Sequence, residues 1–176
     1  MIEVVHYTEE DKRLYEYYHS LFRYDDGQLI WKVSPCNRVH IGDTAGTIGA
    51  AGYIYVRIDG KGCRIHRVIY HMFHGHCPPK PKVIDHVDNN PLNNRIENLR
   101  EATPSQNRMN TSKIKNTTSG FMGVSWHKKN KKWAVAIRIN GKKKFVGNFD
   151  DEIEAALAYN KAALERDPNF SKLNII

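Results

Sequence analysis

The sequence predicts an α+β protein made of two modules, and three observations carry that prediction. Short apolar-alternating segments are joined by the hairpin dipeptides Asp59-Gly60 and Asn140-Gly141. Helix-start signals precede other segments: Thr8 with Asp11, Thr103-Pro104 with Gln106, and Asp151 with Glu154. A polar stretch without core residues, 108–118, separates two parts of unlike charge.

At 176 residues the chain has room for one ordinary domain or two small ones. Hydrophobic residues make up 40% and charged residues 26%, enough to fold and stay in solution. No run approaches the ~18 apolar residues of a membrane span. The opening Met1-Ile2-Glu3-Val4 has no basic-then-apolar signal pattern. The cysteines, Cys36, Cys63 and Cys77, are odd in number and form no Cys-x-x-Cys. Neither a disulfide framework nor a zinc ribbon is supported, and a cytoplasmic setting is expected.

The net charge of +8 is unevenly placed. Residues 1–110 hold 14 Lys/Arg against 13 Asp/Glu, whereas residues 111–176 hold 13 against 6. From Thr111 to Phe149 there are ten basic residues and no acidic one. A field of one sign attracts polyanions, although a solvated lysine surface is the plainer fate of a charge run.

The elements follow in order. Thr8, Asp11, Leu14, Tyr17, Tyr18 and Leu21 give a capped helix with one apolar face. Asp25-Asp26-Gly27 is a turn, and 28–33 a strand. A section with Gly42, Gly46, Gly49 and Gly52 leads to a strand over 53–58, which 63–65 pairs across Asp59-Gly60. A short helix over 67–74 stops at Gly75 and Pro78-Pro79. Residues 83–87 form a strand, Asn89-Asn90-Pro91 turns the chain, and 93–99 returns alongside. Thr103-Pro104-Ser105-Gln106 is a capping box with proline at the first helical position, so a helix starts there and carries Asn107. After the polar stretch come strands over 121–127, 133–139 and 142–146. A helix capped by Asp151 closes the chain, with an apolar stripe of Ile153, Ala156, Leu157 and Leu164 and with Tyr159 and Ala163 near its edges.

Chemistry concentrates in residues 83–110. Asp85 and His86 are adjacent, Asn98 lies twelve residues after His86 and Asn107 twenty-one after it. With Ile84-Asp85-His86-Val87-Asp88-Asn89-Asn90-Pro91-Leu92-Asn93-Asn94-Arg95-Ile96-Glu97-Asn98-Leu99-Arg100 and Gln106-Asn107, the segment resembles the core of the HNH endonucleases, chiefly their phage and intron homing branch. The resemblance extends back through Gly52-Tyr53 and His66-Arg67 and covers about residues 20–110. It implies a ββα-metal core around one divalent ion, with His86 as general base and Asp85 and Asn107 as metal ligands. It implies for Asn98 the role of bracing the loop and orienting the histidine.

These residue types suit the reaction. A histidine with an ordinary pKa near ~6.5 is an effective base at neutral pH. Carboxylate and amide oxygens suit Mg²⁺ or Mn²⁺ rather than zinc. The implied products carry 5′-phosphate and 3′-hydroxyl ends. Neighbours in a regular strand point to opposite faces, so the strand must end or bend at His86 for both groups to serve one phosphate. Because the ligand at 107 is an uncharged amide, poor metal retention without DNA is expected. His71, His74, His76 and Cys77 fit no common tetrahedral spacing, and no structural zinc is expected. His66-Arg67 reads as packing where strand meets helix. Arg95 and Arg100 are candidates for phosphate contact, with an exposed surface role as the alternative.

Ser119-Gly120-Phe121-Met122-Gly123-Val124-Ser125-Trp126, Lys132-Trp133-Ala134-Val135-Ala136-Ile137-Arg138, Phe145-Val146-Gly147-Asn148-Phe149, and Glu154-Ala155-Ala156-Leu157-Ala158-Tyr159 with Leu173-Asn174 resemble the plant ethylene-response-factor (APETALA-type) DNA-binding domain. The resemblance spans about residues 119–174. It implies a three-stranded sheet laid in the major groove of double-stranded DNA with the helix behind it. Ser125, His127, Lys132, Arg138, Lys143, Phe145 and Asn148 fall at the implied DNA-contacting positions. The plant proteins carry more arginines there and a tryptophan where Phe145 stands, so their target sequence does not carry over. For Phe121, Val124, Trp133, Ala134, Ala136, Val146 and Phe149 the alternative role is packing between sheet and helix.

The expectation is therefore a nuclease domain over 1–110 with its core at 83–110, a linker over 111–118, and a DNA-binding domain over 119–176. The partner is double-stranded DNA, with no membrane involved. Two rivals stand beside it: a non-catalytic DNA-binding regulator with an inactive nuclease core, and an RNA-binding or ribosome-associated basic protein.

Overall fold

Thr8 begins the first helix as expected. Its hydroxyl accepts from the Asp11 amide at 3.0 Å, and the Asp11 carboxylate accepts from the Thr8 amide at 3.0 Å, closing a capping box for α1 (Glu9–Leu21). The coordinates are a computed structural model that describes residues 7–110, 118–139 and 141–176. The chain divides into two compact units, one ending at Ala102 and the other starting at Thr103. Among the described residues no helix is long and apolar enough to cross a membrane.

In the first unit, β1 (Phe22–Asp25) and β2 (Gln28–Trp31) form a hairpin over Asp26-Gly27, both at positive φ. Then β3 (Thr47–Ile48), β4 (Ile54–Ile58) and β5 (Lys61–Arg64) make a sheet in the order β3-β4-β5. The helix α2 (Ile65–His74) starts two residues earlier than the sequence predicts, because Ile65 is already packed in the core. Gly75, left-handed at φ 72°, ends it by donating to the His71 carbonyl at 2.8 Å. Phe22, Leu29, Trp31, Val56, Ile65 and Ile69 are among the residues that form one core, and Leu99 ties the next hairpin to it.

That hairpin pairs β6 (Val83–His86) with β7 (Leu99–Ala102), matching His86 to Leu99 and Asp85 to Arg100. Here the sequence reading needs correction. The return strand is 99–102 and not 93–99. Residues 87–98 are a loop ending in a 3₁₀ turn, Ile96–Asn98, because polar side chains in the loop satisfy its backbone locally.

In the second unit, α3 (Pro104–Met109) has its capping box between Thr103 and Gln106. The polar stretch 108–118 overlaps the end of α3, and its residues 111–117 lie outside the described residues. The strands β8 (Val124–His127), β9 (Lys132–Ile139) and β10 (Lys142–Phe149) form a sheet in the order β10-β9-β8. Asn140 also lies outside the described residues, but Ile139 pairs with Lys142 as a two-residue turn requires. β8 starts later than predicted because Gly123 adopts φ 72°, and a Cβ there would stand 2.1 Å from Tyr159. β10 runs further than predicted, across a bulge between Phe145 and Gly147.

The closing helix α4 (Glu152–Arg166) is capped by Asp151, whose carboxylate accepts from the Ile153 and Glu154 amides. Its buried face differs from the predicted stripe. Ala155, Ala156 and Ala163 are fully buried, whereas Ile153, Leu157 and Leu164 remain 49%, 53% and 44% exposed. Phe121, Trp133, Val146 and Phe149, with Tyr159 of the helix lying over Gly123, fill the space between sheet and helix, so Ala155 and Ala156 must be small. Replacing Ala155 by leucine should therefore cost about 1–3 kcal/mol in urea unfolding. Leu157→Ala should stay within ~0.5 kcal/mol of wild type; the reverse ranking would contradict this packing.

Candidate functional site

Asp85 and His86 close β6, and both are buried, at 5% and 6% exposure. A carboxylate and an imidazole lose water only where other polar groups replace it. Asp85 finds its partner across the hairpin: Oδ2 accepts from Arg100 Nε at 3.0 Å and from Nη2 at 2.9 Å. The chain turns immediately after His86, where the Asn89 amide donates to the His86 carbonyl at 3.0 Å and the Val87 amide to the Asn98 carbonyl at 2.9 Å. Both residues are still in register within β6, opposite Arg100 and Leu99, so the turn comes only after His86 and does not by itself put the two side chains on one face.

His86 Nε2 lies 3.0 Å from Oδ1 of Asn94, which is 1% exposed. The polarity of this contact is fixed from behind. Asn94 Nδ2 donates to the Leu92 carbonyl at 3.2 Å, so the amide oxygen is the atom turned to His86. An amide oxygen only accepts, hence Nε2 carries the proton and the lone pair of the neutral ring sits on Nδ1. The sequence reading did not single out Asn94; the only signal was its place in an asparagine-rich loop.

Two aromatic neighbours wall this histidine. The His66 ring lies 5.0 Å from that of His86, and Tyr53 lies 5.4 Å from His66 and 6.1 Å from His86. The guanidinium of Arg64 sits 4.6 Å over the Tyr53 ring. Burial pushes His66 down to about 3, helped by the charges of His86, Arg64 and Arg67. It is therefore neutral at physiological pH and adds no cation to the site.

Asn98 braces the loop. Its Oδ1 accepts from the Asp88 amide at 3.1 Å, and its Nδ2 donates to Asp88 Oδ1 at 2.9 Å and to the Asn93 carbonyl at 2.8 Å. Asn93 Nδ2 donates to Asp88 Oδ2 at 2.7 Å. Burial works to raise the Asp88 pKa, but these donors and the Asn90 amide outweigh it and hold the carboxyl below its usual value. The stabilisation from Asp88 is present above the ordinary aspartate range and is lost as pH falls through the lowered value.

The β1–β2 hairpin supports the same loop from outside. The Ile96 amide donates to the Tyr24 hydroxyl at 3.1 Å, and a Cβ on Gly27 would meet the Arg95 nitrogen at 2.9 Å. Arg95, a candidate for phosphate contact, is ion-paired with Asp26.

The donor chemistry at Asp85, a carboxylate oxygen, is that of a hard cation. Among the described residues no group of three or more His, Cys, Asp or Glu side chains could hold a metal ion. An ion at Asp85 would take the rest of its shell from amide, phosphate or water oxygens. Asn107 stands on α3, in the second unit.

The second unit gathers seven predicted residues on one surface. Register pairs Ser125 with Ala134, Ala134 with Asn148, Ala136 with Phe145, Arg138 with Lys143, and His127 with Lys132. Strand alternation then puts Ser125, His127, Lys132, Arg138, Lys143, Phe145 and Asn148 on the sheet face away from α4. Val124 and Val135 line the other face, against Ala155 and Ala156. Ala134 and Ala136 belong to the outer face and not to the sheet–helix core, which corrects their alternative role. Phe145 is 60% exposed there, and Lys132 pairs with Asp150 at 3.0 Å.

Known proteins match the first of these sites. Residues 63–109 fit the HNH endonuclease family model HNH_3, a span that contains Asp85, His86, Asn98 and Asn107. Over 64 residues the chain is 44% identical to Protein 3.8 of Escherichia phage T7, covering 36% of this chain and 53% of that protein. Over 129 residues it is 36% identical to "Uncharacterized HNH endonuclease L560" of Acanthamoeba polyphaga mimivirus, covering 73% of this chain and 66% of that one. The matches thus span about half to two thirds of these curated relatives. A solved structure, "DNA binding and cleavage by the HNH homing endonuclease I-HmuI", aligns at a TM-score of 0.37 with 23% identity, covering 81% of this chain and 74% of that one. The chain carries an HNH endonuclease domain.

The contact between Asn94 and His86 has a direct readout. Nitrogen-15 shifts of the neutral His86 ring should report a protonated Nε2 and an unprotonated Nδ1, and Asn94→Leu should erase that preference. A wild-type ring protonated on Nδ1 would contradict the amide polarity derived above.

Proposed function

We propose that this chain is a metal-dependent DNA endonuclease of the HNH homing type, which hydrolyses phosphodiester bonds in double-stranded DNA and is targeted by its basic carboxy-terminal module. The supporting observation is the adjacency of Asp85 and His86 at the end of β6, both buried and both partnered, inside the segment that fits the HNH family. His86 Nδ1 takes a proton from the attacking water as its oxygen bonds to phosphorus and the bond to the 3′ oxygen breaks. Asn94 holds the ring so that this nitrogen carries the lone pair, and Asn98 keeps the loop closed through Asp88. Neutral His66 and Tyr53 restrict water around the ring. Asp85 is the ligand for one Mg²⁺ or Mn²⁺, and by resemblance the amide oxygen of Asn107 is a second; that assignment rests on sequence order. When bound, the ion neutralises charge on the scissile phosphate and on the departing 3′ oxygen. The products carry 5′-phosphate and 3′-hydroxyl ends.

The outer sheet face of the second unit supports the reading of an APETALA-type DNA-binding domain over 119–176, joined to a nuclease domain over 1–110 by 111–118. Its centre is made of Ala134 and Ala136, small enough for a groove to approach closely. Arg138, Lys143 and Lys132 supply charge around them, and Phe145 supplies an apolar contact. A nuclease core that grips backbone is nearly blind to sequence, and a tethered reader raises its local concentration at a site. The context is host or phage DNA in the cytoplasm.

The test uses supercoiled plasmid and candidate phage and host genomic DNA, with Mg²⁺ or Mn²⁺, with and without chelator. Wild type should convert DNA to nicked or linear form only with metal, and His86→Ala should lower the rate by about 10²–10⁴-fold. Equal cleavage by the variant would remove His86 from the mechanism. Binding without cleavage of any of these DNAs would favour a non-catalytic regulator.

A further inference from the structure

The ion pair between Asp85 and Arg100 is built into the strand register, since the two residues stand directly opposite each other in β6 and β7. Two guanidinium nitrogens reach one carboxylate oxygen, at 3.0 Å and 2.9 Å. The neighbouring acid on β7, Glu101, is engaged elsewhere: it accepts from Lys82 at 3.1 Å and from the Tyr70 hydroxyl at 3.1 Å. Arg100 is therefore matched to Asp85 by the strand register.

A buried carboxylate needs a positive partner, and a guanidinium can be that partner before any ion arrives. A dication on the same carboxylate would meet the guanidinium charge at short range in a poorly screened place. The two cations therefore compete for Asp85. Arginine also has a second class of partner, because its planar fork matches a phosphate group as well as a carboxylate.

We infer that Arg100 is a stand-in cation that occupies Asp85 in the DNA-free protein, holds off the divalent ion, and transfers to a DNA phosphate when duplex binds. The inference rests on reading Asp85 as the metal ligand and deepens it by naming what controls metal entry. It gives Arg100 more than a backbone contact: one side chain links the two binding events. Ion and duplex must then strengthen each other's binding, by the same factor in both directions. A free protein of this design does not carry a loaded site among the nucleic acids of the cell.

The test measures Mn²⁺ affinity of the full-length chain without DNA, from the electron paramagnetic resonance of free Mn²⁺. Arg100→Gln should bind Mn²⁺ tighter than wild type, by roughly 5- to 150-fold. Arg100→Lys, which keeps the charge, should stay closer to wild type, and Asp85→Asn should lose the site. If Asp85→Asn loses Mn²⁺ while Arg100→Gln, with native circular dichroism, binds no tighter than wild type, the stand-in role is wrong and the metal reading survives. If Arg100→Gln binds Mn²⁺ tighter and adding Asp85→Asn to it leaves that affinity unchanged, both fail. A second measurement avoids substitutions at Arg100. Replacing Na⁺ by Mg²⁺ at equal ionic strength should favour duplex binding by His86→Ala protein over binding by the His86→Ala/Asp85→Asn double variant, read by fluorescence anisotropy on a short mixed-sequence duplex. An equal response of the two proteins, or one that favours the double variant, overturns the inference.

Discussion

Asp85 and His86 give up their hydration at the end of a four-residue strand, and the surrounding polar residues supply what water no longer can. Each partner is set by a different structural rule. Arg100 is fixed by strand register, because the residue opposite Asp85 in an antiparallel hairpin cannot be elsewhere. Asn94 is fixed by the loop, whose carbonyl at Leu92 holds the amide so that its oxygen meets the imidazole. Asn98, Asp88 and Asn93 then hold that loop closed. Loss of Arg100 or Asn94 would leave a buried polar group unsatisfied, which costs about 1–3 kcal/mol and more for a charge.

The site also depends on residues outside the segment that fits the HNH family, which begins at 63. Tyr24, Asp26 and Gly27 press the β1–β2 hairpin against residues 94–96, so the amino-terminal region positions the loop that holds His86. In the second unit, Ala155 and Ala156 of the helix pack with Tyr159 against the bulky inner face of the sheet. A bulge between Phe145 and Gly147 shifts the alternation of β10, so that Asn148 shares a face with Phe145 and Lys143.

Much of this was legible in the chain because it is local. The capping boxes at Thr8 and Thr103, the helix start at Asp151 and the Asp59-Gly60 hairpin each depend on residues a few positions apart. The strand over 83–87 was readable to within one residue of its end at His86, whereas the outward residues of β8 to β10 were placed by resemblance, because the bulge in β10 breaks simple alternation before Asn148. The misreadings have a common cause. The return strand was placed too early because asparagines that look like turn residues build a longer loop by donating to Asp88 across five to ten positions. The helix stripe was assigned to Leu157 and its neighbours because hydropathy cannot sense how close a crowded sheet lets a helix come. Arg100 and Asn94 as partners of Asp85 and His86 required the register and the loop path, neither of which a residue pattern states.

The central claim is that one divalent ion binds beside His86 through Asp85 when the protein holds DNA. The most direct measurement is paramagnetic relaxation by Mn²⁺ on the duplex complex of His86→Ala, followed by nuclear magnetic resonance of backbone and side-chain signals. The account predicts broadening centred on Asp85 and residues 84–87 and its disappearance in the double variant with Asp85→Asn. Broadening centred instead on His74 and His76, or unaffected by Asp85→Asn, would contradict it.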